Sequence, residues 1–274
     1  MEDSGKVALY SANREGFTAY DLAPGHWRDR APGLSAMLRV KNEQLSIAWC
    51  LQSIYTIFDE IVVALQNSTD ETEQIVRDLR LPNVRLLHYP FDSHPNGPGH
   101  DSYPADSVYS RSYFYNWTLA QTTRQWACKW DGDMVAMDDF AADLRRAMTE
   151  ADIVRFHGVN LAGAHLDRYA VRKFTASEPR LFRVTESTFY YPGKTCEVFT
   201  YPKAAELFAS RPRTKALEKP AFVHLKWIKP EKLITQAWPA DWINHRHFRE
   251  LIKRGEPDEP YQGPLPGPIR QNLR

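Results

Sequence analysis

The sequence predicts an α/β fold with a mostly parallel central sheet, helices on both of its faces, and an irregular, aromatic-rich C-terminal part. Short apolar runs alternate with amphipathic segments from residue 34 to about residue 159, which is the pattern of strand–helix–strand units. The apolar runs are nearly continuous, as expected for strands that are covered on both faces. The chain has 274 residues, 43% of them hydrophobic, enough for one domain with a sizeable core.

The first two strand–helix units are the most regular part of the pattern. The run LSAMLRV (34–40) predicts a buried strand, and apolar residues at helical spacing from Ile47 to Phe58 predict the helix after it. EIVVAL (60–65) predicts a second strand. Ser68 and Glu71 are spaced as a capping box, which predicts that the next helix starts at Ser68.

The pattern continues with two further strands and less regular flanks. NVRLLHY (83–89) predicts a third strand, followed by a long loop (90–106), a helix (107–124) and the strand WACKW, which ends at Asp131. A helix from 138 or 139 and a strand at 152–159 should follow, with later helices near 202–210 and 241–253. Residues 1–33 are interpreted as an N-terminal extension, and the Pro- and Gly-rich tail (255–274) as extended or mobile.

Composition argues against several classes of protein. Lys and Arg number 35 against 34 Asp and Glu, so no global field attracts the chain to nucleic acid or to an anionic membrane. Cys50, Cys128 and Cys196 are too widely spaced for a zinc or disulfide framework, and we expect reduced thiols. The sequence lacks a signal-peptide pattern and a long apolar segment, which predicts a cytoplasmic protein without a transmembrane helix.

Asp131 and Asp133, separated by Gly132, stand where the fourth strand should end. Asp-Gly is a common turn dipeptide, so the motif could be a turn alone. In parallel α/β sheets, however, ligands bind at the carboxyl ends of the strands. Two carboxylates there are suited to Mg²⁺ or Mn²⁺, with phosphate and water as the remaining ligands.

Three segments resemble the motifs of one enzyme family. LSAMLRVKNE, DEIVVALQNSTDET and WDGDMV are similar, in order, to the first strand, second strand and Asp-x-Asp motif of GT-A fold glycosyltransferases, most of all family 2. The resemblance covers residues 34–140. It implies a GT-A-like domain over 34–254, with a nucleotide-sugar-binding half (34–140) and an acceptor half (141–254). It also implies a nucleotide-sugar donor, a hydroxyl acceptor and Mn²⁺ or Mg²⁺.

The resemblance assigns roles to individual residues, with Leu65 and Gln66 standing where the family has a base-contacting aspartate. The donor-binding residues it implies are Arg39, Asn42, Glu43, Gln66, Asp131 and Lys226, with Lys229 as an alternative for the diphosphate. The implied metal ligands are Asp131, Asp133 and His224. The implied catalytic residues are Asp131, Asp133 and a base, for which Glu186 is favoured over Glu197 and Asp241. Inversion and retention both remain open.

Two other functions fit parts of the pattern. A nucleotidyltransferase could share the alternation and the paired acids, but it normally has a glycine-rich loop after the first strand, where this chain has VKNEQLS. A non-catalytic nucleotide- or sugar-binding module would keep the sheet but would not need both aspartates together with His224. Glycosylation of modified bases in DNA is a special case of the first function, and the net charge of +1 gives it no support.

Overall fold

The computed structural model describes residues 12–162, 170–172, 177–203, 207, 211–227, 259–260 and 263–272. Within them, the helices are α1 (Ile47–Ile54), α2 (Thr72–Asp78), α3 (Arg111–Ala120), α4 (Phe140–Glu150) and α5 (Gly267–Asn272). The first strands are β1 (Ala31–Val40), β2 (Glu60–Gln66), β3 (Val84–Tyr89), β4 (Arg124–Asp131), β5 (Met134–Ala136), β6 (Ile153–Phe156) and β7 (Gly158–Ala162). The later strands are β8 (Ala170–Arg172), β9 (Glu178–Arg183), β10 (Tyr190–Pro192), β11 (Glu197–Phe199), β12 (Thr214–Ala216), β13 (Phe222–Trp227) and β14 (Glu259–Pro260).

A seven-stranded sheet forms the centre of the fold, in the order β12-β6-β9-β4-β1-β2-β3. All of its strands run in the same direction except β9, which is antiparallel to both β4 and β6. β1 is paired with β2 on one side and with β4 on the other, so Arg39 is level with Asp131. The predicted α/β fold with a mostly parallel sheet is therefore confirmed.

Helices cover both faces of this sheet, as the sequence predicts. On one face, Leu38 and Val63 pack in the main core with residues of α1 and α4. On the other face, Met37 packs with Tyr115 of α3. Neighbouring residues of β1 thus point into different cores, which explains why most of its buried residues on both faces are apolar.

A second sheet meets the first at the aspartate motif. It has the order β14-β8-β7-β13-β5, and β5 begins one residue after Asp133. Asp131 ends β4 of the first sheet, so the chain passes from one sheet to the other within Asp131–Gly132–Asp133. Gly132 leaves room for this close passage, because a Cβ atom there would lie 3.1 Å from Cγ of Glu43 and 3.3 Å from Cγ2 of Val40.

Three predicted elements differ from the structure. The strand expected at 152–159 is two strands in different sheets, β6 and β7, and a Cβ atom on Gly158 would overlap the ring of Phe222. The predicted capping box is absent. The Ser68 hydroxyl instead accepts a hydrogen bond from the Asn42 amide, and α2 starts at Thr72. The helix expected at 107–124 is limited to α3. The helices expected near 202–210 and 241–253 lie largely or wholly outside the described residues.

The C-terminal tail is not simply extended, because residues 267–272 form α5 against the core. Ile269 is fully buried in the main core, and Arg270 donates to the Asp138 carboxylate at 2.7 Å. The Gly267 amide donates to the same carboxylate at 3.0 Å. The prediction of an extended or mobile tail is therefore wrong for this segment, since one buried isoleucine and one ion pair anchor it.

Ile269→Ala is expected to lower the free energy of unfolding by about 2 kcal/mol, because it removes buried methyl groups and leaves a cavity. Urea unfolding measures the change. Leu45→Ala is the matched control, since Leu45 is 47% exposed and its truncation should cost little. Equal unfolding free energies for the wild type and Ile269→Ala would contradict the packing of α5.

Candidate functional site

Asp131 lies at the carboxyl edge of the central sheet between two buried arginines. Arg39 donates to Oδ1 at 2.8 Å, and Arg180 donates to Oδ2 at 3.3 Å. The Arg39 guanidinium also lies 3.8 Å from the centre of the Tyr115 ring. The side chains of Arg39 and Arg180 are only 2% and 8% exposed, whereas that of Asp131 is 29% exposed. The arginines thus fix a carboxylate whose outer edge is open.

The charge state of Asp131 follows from this arrangement. Burial would raise the pKa of its carboxyl, but the guanidiniums of Arg180 and Arg39 outweigh that effect and hold the pKa well below its usual range. Asp131 is therefore ionised at neutral pH. Arg39 was expected to contact the nucleotide; its burial instead gives it the role of holding Asp131.

Asp133 contacts His224 of β13. Its Oδ1 lies 3.1 Å from Nε2 of His224, while Nδ1 of the same ring lies 2.9 Å from Oδ1 of Asn160. β13 brings His224 level with Asn160 of β7 on one side and with Met134 of β5 on the other. The second sheet therefore builds the Asp133–His224–Asn160 group.

This group is suited to a divalent cation. If Nδ1–H donates to Asn160, Nε2 of the neutral imidazole carries a lone pair that faces a carboxylate oxygen. Two neighbouring acceptor atoms require a positive group, either a proton on Nε2 or a metal ion. Adjacent ligands on an octahedral ion are about 3 Å apart, and a second partner that orients a histidine is common at metal sites.

Asp131 is less available to such an ion, because its two oxygens are already bound by guanidiniums. Within the described ranges, no three His, Cys, Asp or Glu side chains are grouped closely enough to hold a metal. The structure thus brings Asp133 and His224 together and gives Asp131 different partners. The three-residue metal site stays a prediction, of which Asp133 and His224 are the part that the geometry favours.

A continuous series of ion pairs leads away from Asp131. This ion-pair chain consists, in order, of Arg39, Asp131, Arg180, Glu178, Lys129 and Glu197. The distances along its second half are 3.1 Å from Arg180 to Glu178, 3.7 Å from Glu178 to Lys129 and 3.0 Å from Lys129 to Glu197. It connects the edge of the central sheet to the β10–β11 hairpin.

Glu197 is the last residue of the ion-pair chain and lies inside the protein. Burial would raise the pKa of its carboxyl, but the Lys129 ammonium and the Arg111 guanidinium outweigh that effect and lower the pKa to about 2. Its side chain is 4% exposed. A carboxylate that is so buried and so weakly basic is a poor choice for the base, although the sequence left Glu197 open as one.

The low pKa of Glu197 predicts a pH dependence of stability. Because folding lowers this pKa from 4.5 to about 2, its contribution is complete above about pH 4.5 and declines as the pH falls toward 2. The stability difference between the wild type and Glu197→Gln should therefore be larger at pH 5 than at pH 3. Urea unfolding at both pH values measures it, and a difference that grows as the pH falls would contradict the assignment.

The loops after β1 and β2 are tied to each other. The Asn42 side-chain oxygen accepts a hydrogen bond from the Thr69 amide at 2.8 Å. The Glu43 amide donates a hydrogen bond to the Thr72 hydroxyl at 2.7 Å. Gln66 is 4% exposed, and its amide group donates to the Phe91 carbonyl at 2.7 Å. Asn42 and Glu43 thus lie at the expected edge, whereas the Gln66 side chain is buried and hydrogen-bonded within the protein.

Glu186 is at the wrong edge of the sheet for the expected catalytic role. β9 runs antiparallel to β4, with Arg183 level with Trp126, and the Val184 amide donates to the Gln125 carbonyl. Glu186 follows at the amino end of β4, about 20 Å along the strand from Asp131. Its position gives no support to Glu186 as the base beside Asp131, because β9 reverses the chain direction.

Three other predicted residues lie partly or wholly outside the described part of the structure. Lys226 lies in β13, two residues after His224, and its side chain is outside the described part of the structure. Asp241 and Lys229 lie outside the described residues altogether.

Sequence analysis missed Glu178, Arg180, Lys129 and Asn160. A signal was present in EPRLFR, where Glu178 and Arg180 alternate with Pro179 and Leu181 in a segment that the structure shows to be β9. Charged side chains on one face of a half-buried strand need oppositely charged or hydrogen-bonding partners, because burying an unpaired charge is costly. The identity of those partners depended on the reversed direction of β9, which the local pattern does not encode.

Comparison with known proteins gives structural neighbours only. No protein-family model matches the sequence, and no curated protein matches it. S. aureus TarS (residues 1–349) in complex with UDP-GlcNAc is a neighbour at 15% identity and a TM-score of 0.47, with 81% of this chain and 66% of that chain covered. The chain thus spans just under two thirds of that neighbour.

A second neighbour is covered along almost its whole length. Glucosyl-3-phosphoglycerate synthase from Mycobacterium tuberculosis, in complex with Mn²⁺, UDP and phosphoglyceric acid, has 14% identity and a TM-score of 0.46, with 91% of this chain and 93% of that chain covered. At these identities and scores the similarity says nothing about what the present chain binds. Within the described residues, every helix is too short to span a bilayer.

Proposed function

We propose that the chain is a glycosyltransferase that moves a sugar from a nucleotide-sugar donor to a hydroxyl acceptor, with Mn²⁺ or Mg²⁺ held by Asp133 and His224. One observation carries this proposal: an ionised Asp131 and the Asp133–His224 pair meet at the carboxyl edge of the sheet. Ligands of open α/β sheets bind at this edge. The acceptor, the sugar and the nucleotide stay unspecified.

The reaction sets clear requirements for the side chains at this edge. The bond between the sugar's anomeric carbon and the phosphate oxygen breaks, and the diphosphate leaves with the electron pair. When bound, the metal ion would take up the charge that grows on this oxygen. Asp133 and His224 would hold the ion, and Asn160 would fix the orientation of the imidazole.

Asp131 serves the same reaction through its fixed charge. Arg39 and Arg180 keep it ionised and immobile, so its open edge can accept hydrogen bonds from hydroxyl groups of the donor without reorganisation. Asn42 and Glu43 lie on the neighbouring loop, where the nucleotide would bind. Lys226 is proposed as a contact to the diphosphate. Gln66 and Arg39 have no direct contact with the donor in this proposal.

A panel of nucleotide sugars with Mn²⁺ or Mg²⁺ tests the function, with nucleoside diphosphate release as the readout. We expect release from at least one donor, and its loss when EDTA removes the ion. A donor that raises the melting temperature but is never cleaved would instead identify a binding module. Release of pyrophosphate from a nucleoside triphosphate and a sugar phosphate would identify a nucleotidyltransferase.

A further inference from the structure

Glu178 and Asp131 lie at the same edge of the central sheet. β9 begins at Glu178, three residues before Leu181, and β4 ends at Asp131, three residues after Cys128. Leu181 is level with Cys128 in this antiparallel pair, so β9 begins on the side of the sheet where β4 ends. Arg180 bridges the two acidic residues, with 3.3 Å to Asp131 and 3.1 Å to Glu178.

Glu178 is the most accessible acid of the ion-pair chain. Its side chain is 41% exposed, compared with 29% for Asp131 and 4% for Glu197. The contacts with Arg180 and Lys129 are both made by Oε2. The cations thus orient the carboxylate, and it can still reach a bound molecule from the side that faces solvent.

The other acids near this edge are less suited to accept a proton from an acceptor. Both oxygens of Asp131 are bound by guanidiniums, and Asp133 is committed to His224. Glu197 is buried against Lys129, and Glu186 lies at the opposite edge. Of these acids, Glu178 is the one at the right edge of the sheet with the most exposed side chain.

We propose that Glu178 is the general base that deprotonates the acceptor hydroxyl, an assignment that rests on the proposed glycosyl transfer. The acceptor oxygen attacks the anomeric carbon from the face opposite the diphosphate while its proton moves to the Glu178 carboxylate. The new carbon–oxygen bond forms as the bond to phosphate breaks, and the diphosphate leaves with that electron pair. A single displacement of this kind inverts the configuration of the sugar.

The test compares two acceptors, water and azide, with a donor that the wild type cleaves. Water needs a base to lose its proton, whereas azide is already an anion and needs none. Glu178→Gln should therefore slow hydrolysis of the donor by about 100-fold or more, within the range for general-base catalysis. It should form the glycosyl azide, with inverted configuration, at about the wild-type rate.

Glu186→Gln is the matched control, with wild-type rates expected for both acceptors, and circular dichroism and the melting temperature verify that Glu178→Gln is folded. Equal losses with water and azide would give Glu178 a structural role and overturn the proposal. No loss with either, or a product with retained configuration, would also overturn it. A wild type that cleaves no donor would overturn the glycosyl-transfer function itself, and with it the role of Glu178.

Discussion

Asp133→Asn is expected to lower the rate of nucleoside diphosphate release by about 100-fold or more, equivalent to about 3 kcal/mol in activation free energy. Asparagine keeps the shape of the side chain but removes the charge that would hold the ion next to His224. The concentration of Mn²⁺ needed for half-maximal rate should rise as well, because one ligand becomes weaker. Steady-state rates measured across a Mn²⁺ titration give both quantities.

Asp139→Asn is the matched control for this substitution. Asp139 is half-exposed and pairs with Lys219 at 3.1 Å, away from the candidate site. It should leave the rate and the Mn²⁺ requirement unchanged. If Asp133→Asn also worked at the wild-type rate and Mn²⁺ concentration, Asp133 would have no part in holding a cation.

Arg39→Met is expected to lower the free energy of unfolding by about 3 kcal/mol or more, as is typical when one partner of a buried ion pair is removed. Methionine restores much of the lost volume, so the cost comes mainly from the charge. Asp131 would keep only Arg180, at 3.3 Å, and Tyr115 would lose the cation above its ring. Urea unfolding at neutral pH measures the effect.

Arg77→Met provides the comparison for Arg39→Met. Arg77 is 55% exposed and pairs with Glu73 one helical turn away, so its loss should cost less than about 1 kcal/mol. Equal effects of the two substitutions would show that the buried pair contributes no more than a surface pair. The role of Arg39 in fixing Asp131 would then be wrong.

Local patterns predicted the half of the fold that carries the site. The strands β1, β2 and β4 are short, mostly apolar runs, and the residues packed on both faces of the sheet bury them. This regularity placed Asp131 correctly at the end of β4. The arginine in LSAMLRV was also visible, but its partner lies 92 residues away, and only the pairing of β1 with β4 brings the two together.

Errors arose where tertiary structure overrides the local pattern. Glu186 was favoured because it lies in an irregular stretch after the predicted sheet, where the similar family often carries its base. The reversed direction of β9 carries it to the far edge and leaves Glu178 near Asp131. The tail was judged by its prolines and glycines, although Ile269 and the Arg270–Asp138 ion pair anchor α5 against the core. The partner of Asp133 depends on the second sheet, whose strands are short and widely separated in sequence.

A crystal soaked with Mn²⁺ and a nucleoside diphosphate, and measured at the manganese absorption edge, tests the central claim most directly. We predict an anomalous peak about 2.2 Å from both the Asp133 carboxylate and Nε2 of His224, with the diphosphate beside it. A peak bound by other side chains, or a diphosphate bound with no ion near this pair, would contradict the proposed site.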